Sequence, residues 1–201
     1  MTLNTYAPNV KAHTIQRPDR RNFRNLPIRN LANRRHNCGT KLQKAEFNVR
    51  IALYQPEIAG NVGAVLRLSA CLNVACDIIE PCGFPFSDKG LKRAGMDYAD
   101  AVEIERHQDA AAFIAKAKAK NRRIVLMTTK GSNPLFNVEF QPDDIILMGS
   151  ESSGVPDEVH AAADLRIRIP MHAPFRSLNV SVAAGIALAE ALRQTGQLPP
   201  E

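Results

Sequence analysis

The sequence predicts an α/β fold, a layered parallel sheet with helices on both faces. From residue 48, strand-like and helix-like segments alternate over about 150 residues, which is the pattern of layered α/β folds. Two strand-like segments, 123–129 and 144–149, are continuous apolar runs, as strands are when helices cover both faces of a parallel sheet. A chain of 201 residues with 45% hydrophobic content is also long enough for one domain with a buried core.

Five segments are predicted as strands from their apolar residues. The first four are short runs of mainly apolar residues. The fifth alternates strictly, so Arg166 and Arg168 should share one face. In chain order the predicted strands are VRIALY (49–54), ACDII (75–79), RIVLMTT (123–129), DIILMG (144–149) and LRIRIP (165–170).

Four segments have the periodicity or the end signals of helices. The first places its apolar residues and Ser69 on one side, and the second ends in lysines. The third starts with Pro156 at the first helical position, followed by two acids, and Gly196 ends the fourth. In chain order the predicted helices are 61–73, 109–121, 156–163 and 177–196.

Three of the predicted strands run into polar or glycine-bearing segments, TTKGSN (128–133), GSESSG (149–154) and PMHAPFRSLN (170–179). Ligands of α/β folds bind at the carboxyl ends of strands, so these segments predict a pocket for one small molecule. Gly149 and Gly154 have the glycine spacing of a phosphate loop, but such a loop continues with Lys and Ser or Thr. Here Val155 and Pro156 follow, which argues against a nucleoside triphosphate.

The excess positive charge lies in the first 46 residues. The whole chain carries a net charge of +6, whereas residues 1–46 hold ten Lys or Arg and two acids, so the remainder is slightly acidic. This segment is rich in Asn and Pro and has no apolar periodicity, which predicts a basic, disordered arm before a folded domain at 47–201. Three interpretations of the arm stay open: an RNA-binding tail, a passive extension that includes a start codon assigned too early, or a targeting segment.

Other features of the composition limit the class of protein. No apolar run approaches the roughly 20 residues of a membrane span, and the arm lacks the continuous apolar stretch of a secretory signal. The four cysteines, Cys38, Cys71, Cys76 and Cys82, have no zinc-ligand spacing. They are interpreted as small buried side chains in a reducing cytoplasm. We therefore expect a cytoplasmic protein without a metal and without a membrane partner.

Three long segments, in this order along the chain, carry the pattern of a known family. They are QPEIAGNVGAVLR (55–67), which contains Asn-x-Gly-x-x-x-Arg, then ILMGSESSGVPDEV (146–159) and IRIPMHAPFRSLNVSVAAGIALAEALRQ (167–194). With them, the chain resembles the SpoU/TrmH-type, or SPOUT, RNA 2′-O-methyltransferases over about residues 48–196. The segments IIEPCGF (78–84) and DKGLKRAGMDY (88–98) resemble one branch, the TrmL-like methylases of the tRNA wobble nucleotide.

This resemblance implies a fold and an activity that periodicity does not. It implies a C-terminal trefoil knot, a homodimer, and transfer of a methyl group from S-adenosylmethionine to a ribose 2′-hydroxyl of tRNA, at the wobble cytidine or uridine. GSESSG would then hold S-adenosylmethionine, and no metal is needed. Two alternatives stay open: methylation of ribosomal RNA or of another tRNA position, and a non-catalytic RNA-binding module of the same fold.

The resemblance also implies catalytic residues. Arg67 corresponds to the essential arginine of the family, and we expect it to bind the target phosphate and to steady the developing oxyanion, because guanidinium is hard to deprotonate. Asn61, Glu151, Ser177 and Asn179 are expected in the active-site shell. Structural alternatives stay open, namely a surface arginine, a solvated loop acid, and helix caps for the two asparagines and the serine.

The same alignment implies binding residues. Gly149 is expected where the backbone approaches the ligand too closely for a side chain. The basic residues of the RNA site could bind phosphates, or they could simply form a solvated surface. The expected cofactor contacts are Met127, Gly149, Ile169 and Ser177, and the expected RNA contacts are Lys89, Lys92, Arg93 and Lys130.

Four positions depart from the family pattern. The second motif often has Pro and Arg where this chain has Ser150 and Ser153. The third motif often has Asn and an aromatic residue where this chain has Val182 and Ala189. We expect the core chemistry to survive these changes and the details of cofactor, substrate or dimer contacts to differ.

Overall fold

The structure is a computed structural model that describes residues 48–85, 98–131 and 133–200. The predicted arm, 1–46, and the predicted RNA contacts Lys89, Lys92 and Arg93 lie outside these residues.

The described residues form one seven-stranded sheet in which every neighbouring pair of strands is parallel. The strands lie in the order β3-β2-β1-β6-β4-β7-β5. Their bounds are β1 Arg50–Tyr54, β2 Ala75–Ile79, β3 Ile104–His107, β4 Ile124–Met127, β5 Asn133–Pro134, β6 Ile145–Met148 and β7 Leu165–Arg168. The predicted α/β class and the parallel sheet are therefore confirmed.

Four α-helices of the described residues cover the sheet, two on each face. They are α1 Ala59–Leu72, α2 Ala110–Ala119, α3 Asp157–Ala162 and α4 Val180–Thr195. The first and the last pack on one face, where Leu66 and Leu188 join Ile51 and Ile146 in the core. The other two cover the opposite face, where Phe113 and Val159 pack on alternate residues of the same strands. The central strands are buried on both faces for this reason, which explains their continuous apolar sequences.

The helix ends follow local chemistry and correct several predicted bounds. Asp109 is the N-cap of α2 and accepts a hydrogen bond from the Ala112 amide at 2.8 Å. Pro156 is the N-cap of α3 and precedes its first helical residue. Gly196 closes α4 with a left-handed φ of +69°, as its position predicts.

Cys76 is buried as expected, whereas Cys71 is exposed on α1, so the predicted burial of Cys71 is wrong.

Two strands, β3 and β5, escape sequence prediction. The side chains of β3 that contact α2, Glu105 and His107, are polar, and β5 has only two residues. A charged cluster accompanies the backbone pairing of β3 with β2: Asp77 accepts from Arg50 Nε at 2.8 Å and contacts His107 Nε2 at 2.9 Å. Burial raises the pKa of the Asp77 carboxyl, but the hydrogen bonds with His107 and Arg50 lower it by more than burial raises it. The pKa of Asp77 is therefore below its usual value. Asp77, Glu105 and His107 are of metal-ligand type. Because Arg50 binds both oxygens of Asp77, we assign the cluster to ion pairing within the fold.

The order of the strands positions the functional loops. The neighbours β1, β6, β4 and β7 are parallel, so their carboxyl ends lie along one edge of the sheet. The segments that follow them, near residues 55–58, 149–155, 128–131 and 169–179, therefore meet at that edge. In the part of the chain described here, no helix has the length and apolar character that crossing a bilayer requires.

Candidate active site

A cavity of about 840 Å³ opens where these four segments meet. This volume lies within the roughly 300–1,000 Å³ that is usual for small-molecule sites. Its lining combines apolar strand ends such as Met127 and Met148 with the polar residues of 149–154 and the start of α4. The predicted convergence of the three loops is confirmed, and the amino-terminal end of α1 forms a fourth wall.

Glu151 connects two walls of the cavity through hydrogen bonds. One carboxylate oxygen accepts from the Glu57 amide at 2.8 Å, and the other accepts from Asn61 Nδ2 at 2.8 Å and from the Ile58 amide at 3.3 Å. The amides belong to the residues just before α1, whose N-cap Ile58 has no capping side chain. A carboxylate from another motif thus supplies the acceptor and the negative charge that favour a helix N-terminus.

These hydrogen bonds keep Glu151 ionised. Burial raises the pKa of its carboxyl, but the hydrogen bonds from Asn61 and from the backbone amides outweigh burial and hold the pKa below its usual range. An ionised carboxylate accepts hydrogen bonds and donates none. The Asn61 amide must therefore present its NH₂ group to Glu151 and its carbonyl oxygen to the other side.

The orientation of the Asn61 side chain determines that of Asn179, at the start of α4. Asn61 Oδ1 accepts from Asn179 Nδ2 at 3.0 Å, and Asn179 Oδ1 accepts from the Ser181 amide at 2.8 Å and from Ser181 Oγ at 2.6 Å. Asn179 is therefore the N-cap of α4 as well as a partner of α1. The hydrogen-bonded chain Glu151–Asn61–Asn179–Ser181, called the amide relay below, joins the loop 149–154, the start of α1 and the start of α4, which are distant in sequence.

The loop 149–154 is closed by its own hydrogen bonds. Ser150 and Gly154 exchange two backbone hydrogen bonds of 2.9 and 3.0 Å, and the hydroxyls of Ser150 and Ser153 lie 2.8 Å apart. A Cβ on Gly149 would lie 2.8 Å from the Gly154 backbone. The expected reason for Gly149, close approach of a ligand, is therefore not needed, because closure of the loop already excludes a side chain.

Glu57 and Ser152 form a second connection that sequence analysis missed. The Glu57 carboxylate accepts from Ser152 Oγ at 2.5 Å and from the Ser152 amide at 3.2 Å. Since Glu151 accepts from the Glu57 amide, the two loops hold each other reciprocally. Glu57 lies within the first matched motif, but an acid before a helix carries no sequence signal of a partner 95 positions away.

The predicted catalytic residues occupy two separate places. Asn61, Glu151, Ser177 and Asn179 all line the cavity. Arg67 is absent from the lining of the cavity in the part of the chain described; it is exposed on α1, with its guanidinium carbon 4.8 Å from the centre of the Tyr98 ring, a cation–π contact. Asn61 is no helix cap, since it lies inside the first turn of α1, and Ser177 is none either, since α4 starts at Val180.

The four expected cofactor contacts, Met127, Gly149, Ile169 and Ser177, all line the cavity, as does the predicted RNA contact Lys130. Three further lining residues were not singled out from the sequence, namely Arg168, Phe175 and Arg176. Two of them lie inside the polar segment 170–179, so their motif was a signal for the loop although not for each side chain.

Comparisons with known proteins agree with this geometry. The sequence profile described as "SpoU rRNA Methylase family" matches residues 48–189. A protein of Beijerinckia indica subsp. indica named tRNA (cytidine(34)-2′-O)-methyltransferase is 56% identical over 148 residues, which are 74% of this chain and 92% of that protein.

Two solved structures share the fold. One, described as "Structural insights into the 2-OH methylation of C/U34 on tRNA", has a TM-score of 0.69 and 40% identity, and the match covers 75% of this chain and 97% of that one. The other, an AdoMet-bound rRNA methyltransferase from Sinorhizobium meliloti, has a TM-score of 0.66 and 28% identity, with 73% of this chain and 56% of that one covered.

Reversing the hydrogen-bond polarity between Asn61 and Glu151 tests the amide relay. Asn61→Asp places two carboxylates in contact, so we expect the free energy of unfolding in urea to fall by about 1–3 kcal/mol at neutral pH. The loss should shrink in acid, because one carboxyl then binds a proton. Adding Glu151→Gln to Asn61→Asp restores a donor and an acceptor, so the double variant should be more stable than Asn61→Asp alone. Additive losses would show that the two side chains do not act together.

Proposed function

The chain belongs to the SpoU rRNA methylase family, and on that premise we propose that it transfers a methyl group from S-adenosylmethionine to the ribose 2′-hydroxyl of the wobble nucleotide, cytidine or uridine 34, of tRNA. The observation that carries this proposal is the cavity at the strand ends, built from all three matched motifs and tied by the amide relay.

The target nucleotide is proposed from the relatives. The Beijerinckia protein is named for cytidine 34, and the match covers 92% of its length, so the likeness extends over nearly the whole of that protein. Ribosomal RNA is the competing target, because the family description and the Sinorhizobium protein name it. We favour tRNA because 40% identity joins this chain to the structure described for C/U34 and 28% joins it to the rRNA enzyme.

The residues of the cavity fit S-adenosylmethionine in size and chemistry. The volume of about 840 Å³ accommodates a nucleoside with an amino-acid tail. Met127 and Ile169 offer apolar surface, and the backbone beside Gly149 and Ser177 offers polar groups at the same edge. We propose that these four residues hold the cofactor, which supplies an electrophilic methyl group and needs no metal.

The protein contributes position and electrostatics. The amide relay keeps the start of α1, the loop 149–154 and the start of α4 in one arrangement, so Glu151 acts as a positioning residue through Asn61. Such prearrangement lowers the entropy cost of bringing two reactants together. Ser177 is exposed beside Asn179 on the wall of the cavity, where its hydroxyl can orient a ligand.

We propose Arg67 as the residue that meets the RNA phosphate and the developing negative charge at the 2′-oxygen. Because Arg67 does not line the cavity among the described residues of its own chain, we propose that it does so in an RNA site built by both chains of a homodimer. Its exposed guanidinium, steadied by the Tyr98 ring, is available to a large substrate. Lys130 at the cavity, together with Lys89, Lys92 and Arg93, is proposed for phosphate contacts. The basic arm is proposed either as a further RNA contact or as a passive extension.

Replacing Arg67 separates chemistry from cofactor binding. We expect Arg67→Ala to lower methyl transfer by about 100-fold or more, as removal of an oxyanion partner does. S-adenosylmethionine affinity should stay unchanged, because Arg67 does not line the cavity among the described residues. The measurement combines transfer of labelled methyl to unmodified tRNA, mapping of 2′-O-methyl at position 34, and calorimetry of the cofactor.

A matched control is Arg193→Ala, since Arg193 is exposed at the end of α4 and paired with Glu190. It should retain transfer. Full activity of Arg67→Ala would refute the proposed role, and a methyl mark found in ribosomal RNA instead of tRNA position 34 would refute the proposed target.

We propose in addition that the protein is a cytoplasmic homodimer whose C-terminal segment forms the trefoil knot of the family. The exposed side chains of Ile58 and Val182, 51% and 50% accessible, lie at the starts of α1 and α4 beside the cavity and support a partner surface there. The small residues Ala184, Ala187 and Ala191 give no such support, because they are buried within the chain.

Light scattering tests the assembly. We expect twice the mass of the chain at micromolar concentration and a shift toward the monomer for Val182→Asp, because a charge at an apolar contact is costly to bury. Ala64→Asp, at another exposed position of the helical layer, serves as the control. A monomeric native protein would refute the homodimer.

A further inference from the structure

The mouth of the cavity carries three cations with no acidic partner. Lys130, Arg168 and Arg176 line the cavity and are exposed, and none has an ion pair among the residues 48–85, 98–131 and 133–200. The arginines Arg50, Arg106, Arg123 and Arg193, by contrast, all contact carboxylates. The acid of the same lining, Glu151, is engaged with Asn61 and two backbone amides, so these three cations have no ion pair within the described residues.

An aromatic ring stands among these cations. Phe175 also lines the cavity, yet 74% of its surface is accessible, more than for any other large apolar residue described. Its backbone is held by a turn in which the Phe175 amide donates to the His172 carbonyl oxygen at 3.1 Å. A mostly exposed ring beside cations that have no ion pair among the described residues is available for stacking by a ligand.

Alternation of exposed aromatic and basic side chains is the chemistry that recognises single-stranded nucleic acid. Bases stack on aromatic rings, while neighbouring cations bind the phosphates of the same strand. We propose that Phe175 is a stacking platform for a base of the substrate RNA loop, next to the nucleotide that is methylated, and that Arg168 and Arg176 bind the flanking phosphates. This inference rests on the proposed function, because it requires a single-stranded RNA substrate at this cavity.

The surroundings favour RNA over two other occupants. A second copy of this chain would have to cover three cations that have no ion pair among the described residues, which is costly unless it supplies acidic partners. The cofactor needs an enclosed slot for its base, whereas Phe175 is mostly in solvent at the rim. A single-stranded RNA loop would supply both a base to stack on the ring and phosphates to pair with the cations.

Direct RNA binding tests this platform without depending on methyl transfer. Fluorescence anisotropy with an anticodon stem-loop RNA gives the Kd of the full chain. We expect Phe175→Ala to raise the Kd by about 5- to 150-fold, the range for loss of one stacked base, and Phe175→Trp to retain native affinity. The control is Phe136→Ala, since Phe136 is 61% exposed but does not line the cavity; its Kd should stay unchanged.

The salt dependence of the same Kd tests the phosphate contacts. Arg168→Gln and Arg176→Gln should each reduce the slope of log K against log salt by about 0.7, because each releases one fewer counterion from a single strand. Arg193→Gln, which removes a paired and exposed charge, should leave the slope unchanged.

Each other outcome has one meaning. Unchanged RNA affinity of Phe175→Ala overturns the platform. If Phe175→Ala lowers only the affinity for S-adenosylmethionine, the ring belongs to the cofactor site and the platform is overturned. If it lowers only the oligomeric mass, the ring contacts a second copy and the platform is likewise overturned. If the native protein binds the stem-loop but methylates no tRNA, the proposed function fails while the Kd ratio still decides on stacking. If it binds no stem-loop at all, both fail.

Discussion

The Glu151 carboxylate is the acceptor on which the rest of the site depends. It satisfies two backbone amides at the start of α1 and one side-chain amide, and because it only accepts, it dictates which way Asn61 and then Asn179 must face. The side chains of the amide relay therefore join the three sequence motifs into one surface. An acid in the loop 149–154 thereby has a structural task that precedes any contact with a ligand.

The sheet creates the need for this connection. Parallel strands β1, β6, β4 and β7 bring four chain segments to one edge, and each segment leaves backbone groups that must find partners. The loop 149–154 satisfies part of this need internally, and Glu57 and Ser152 satisfy another part by joining the loop to the start of α1. The remaining polar groups face an open volume large enough for a nucleoside derivative.

Much of the fold was predictable because apolar strands between helices have few alternatives, and β1, β2, β4, β6 and β7 were all placed from their side chains. Two strands were missed. IERH in β3 has no apolar period, and its partners Asp77 and Arg50 are far away in sequence. The strand β5 has only two residues, too few to show any periodicity. The site loops were predicted by their composition and by the family resemblance. The Glu57–Ser152 bonds, the reason for Gly149 and the exposed position of Phe175 depend on three-dimensional closeness, to which periodicity is insensitive.

A crystal structure of the protein with S-adenosylhomocysteine, the demethylated cofactor, tests the central claim most directly. The account predicts that the ligand lies in the cavity between 127–131, 149–154 and 169–179, with the contacts of Asn61 to Glu151 and to Asn179 kept at about 3 Å. A ligand bound elsewhere, or a Glu151 that leaves the start of α1 to bind the ligand itself, would contradict it.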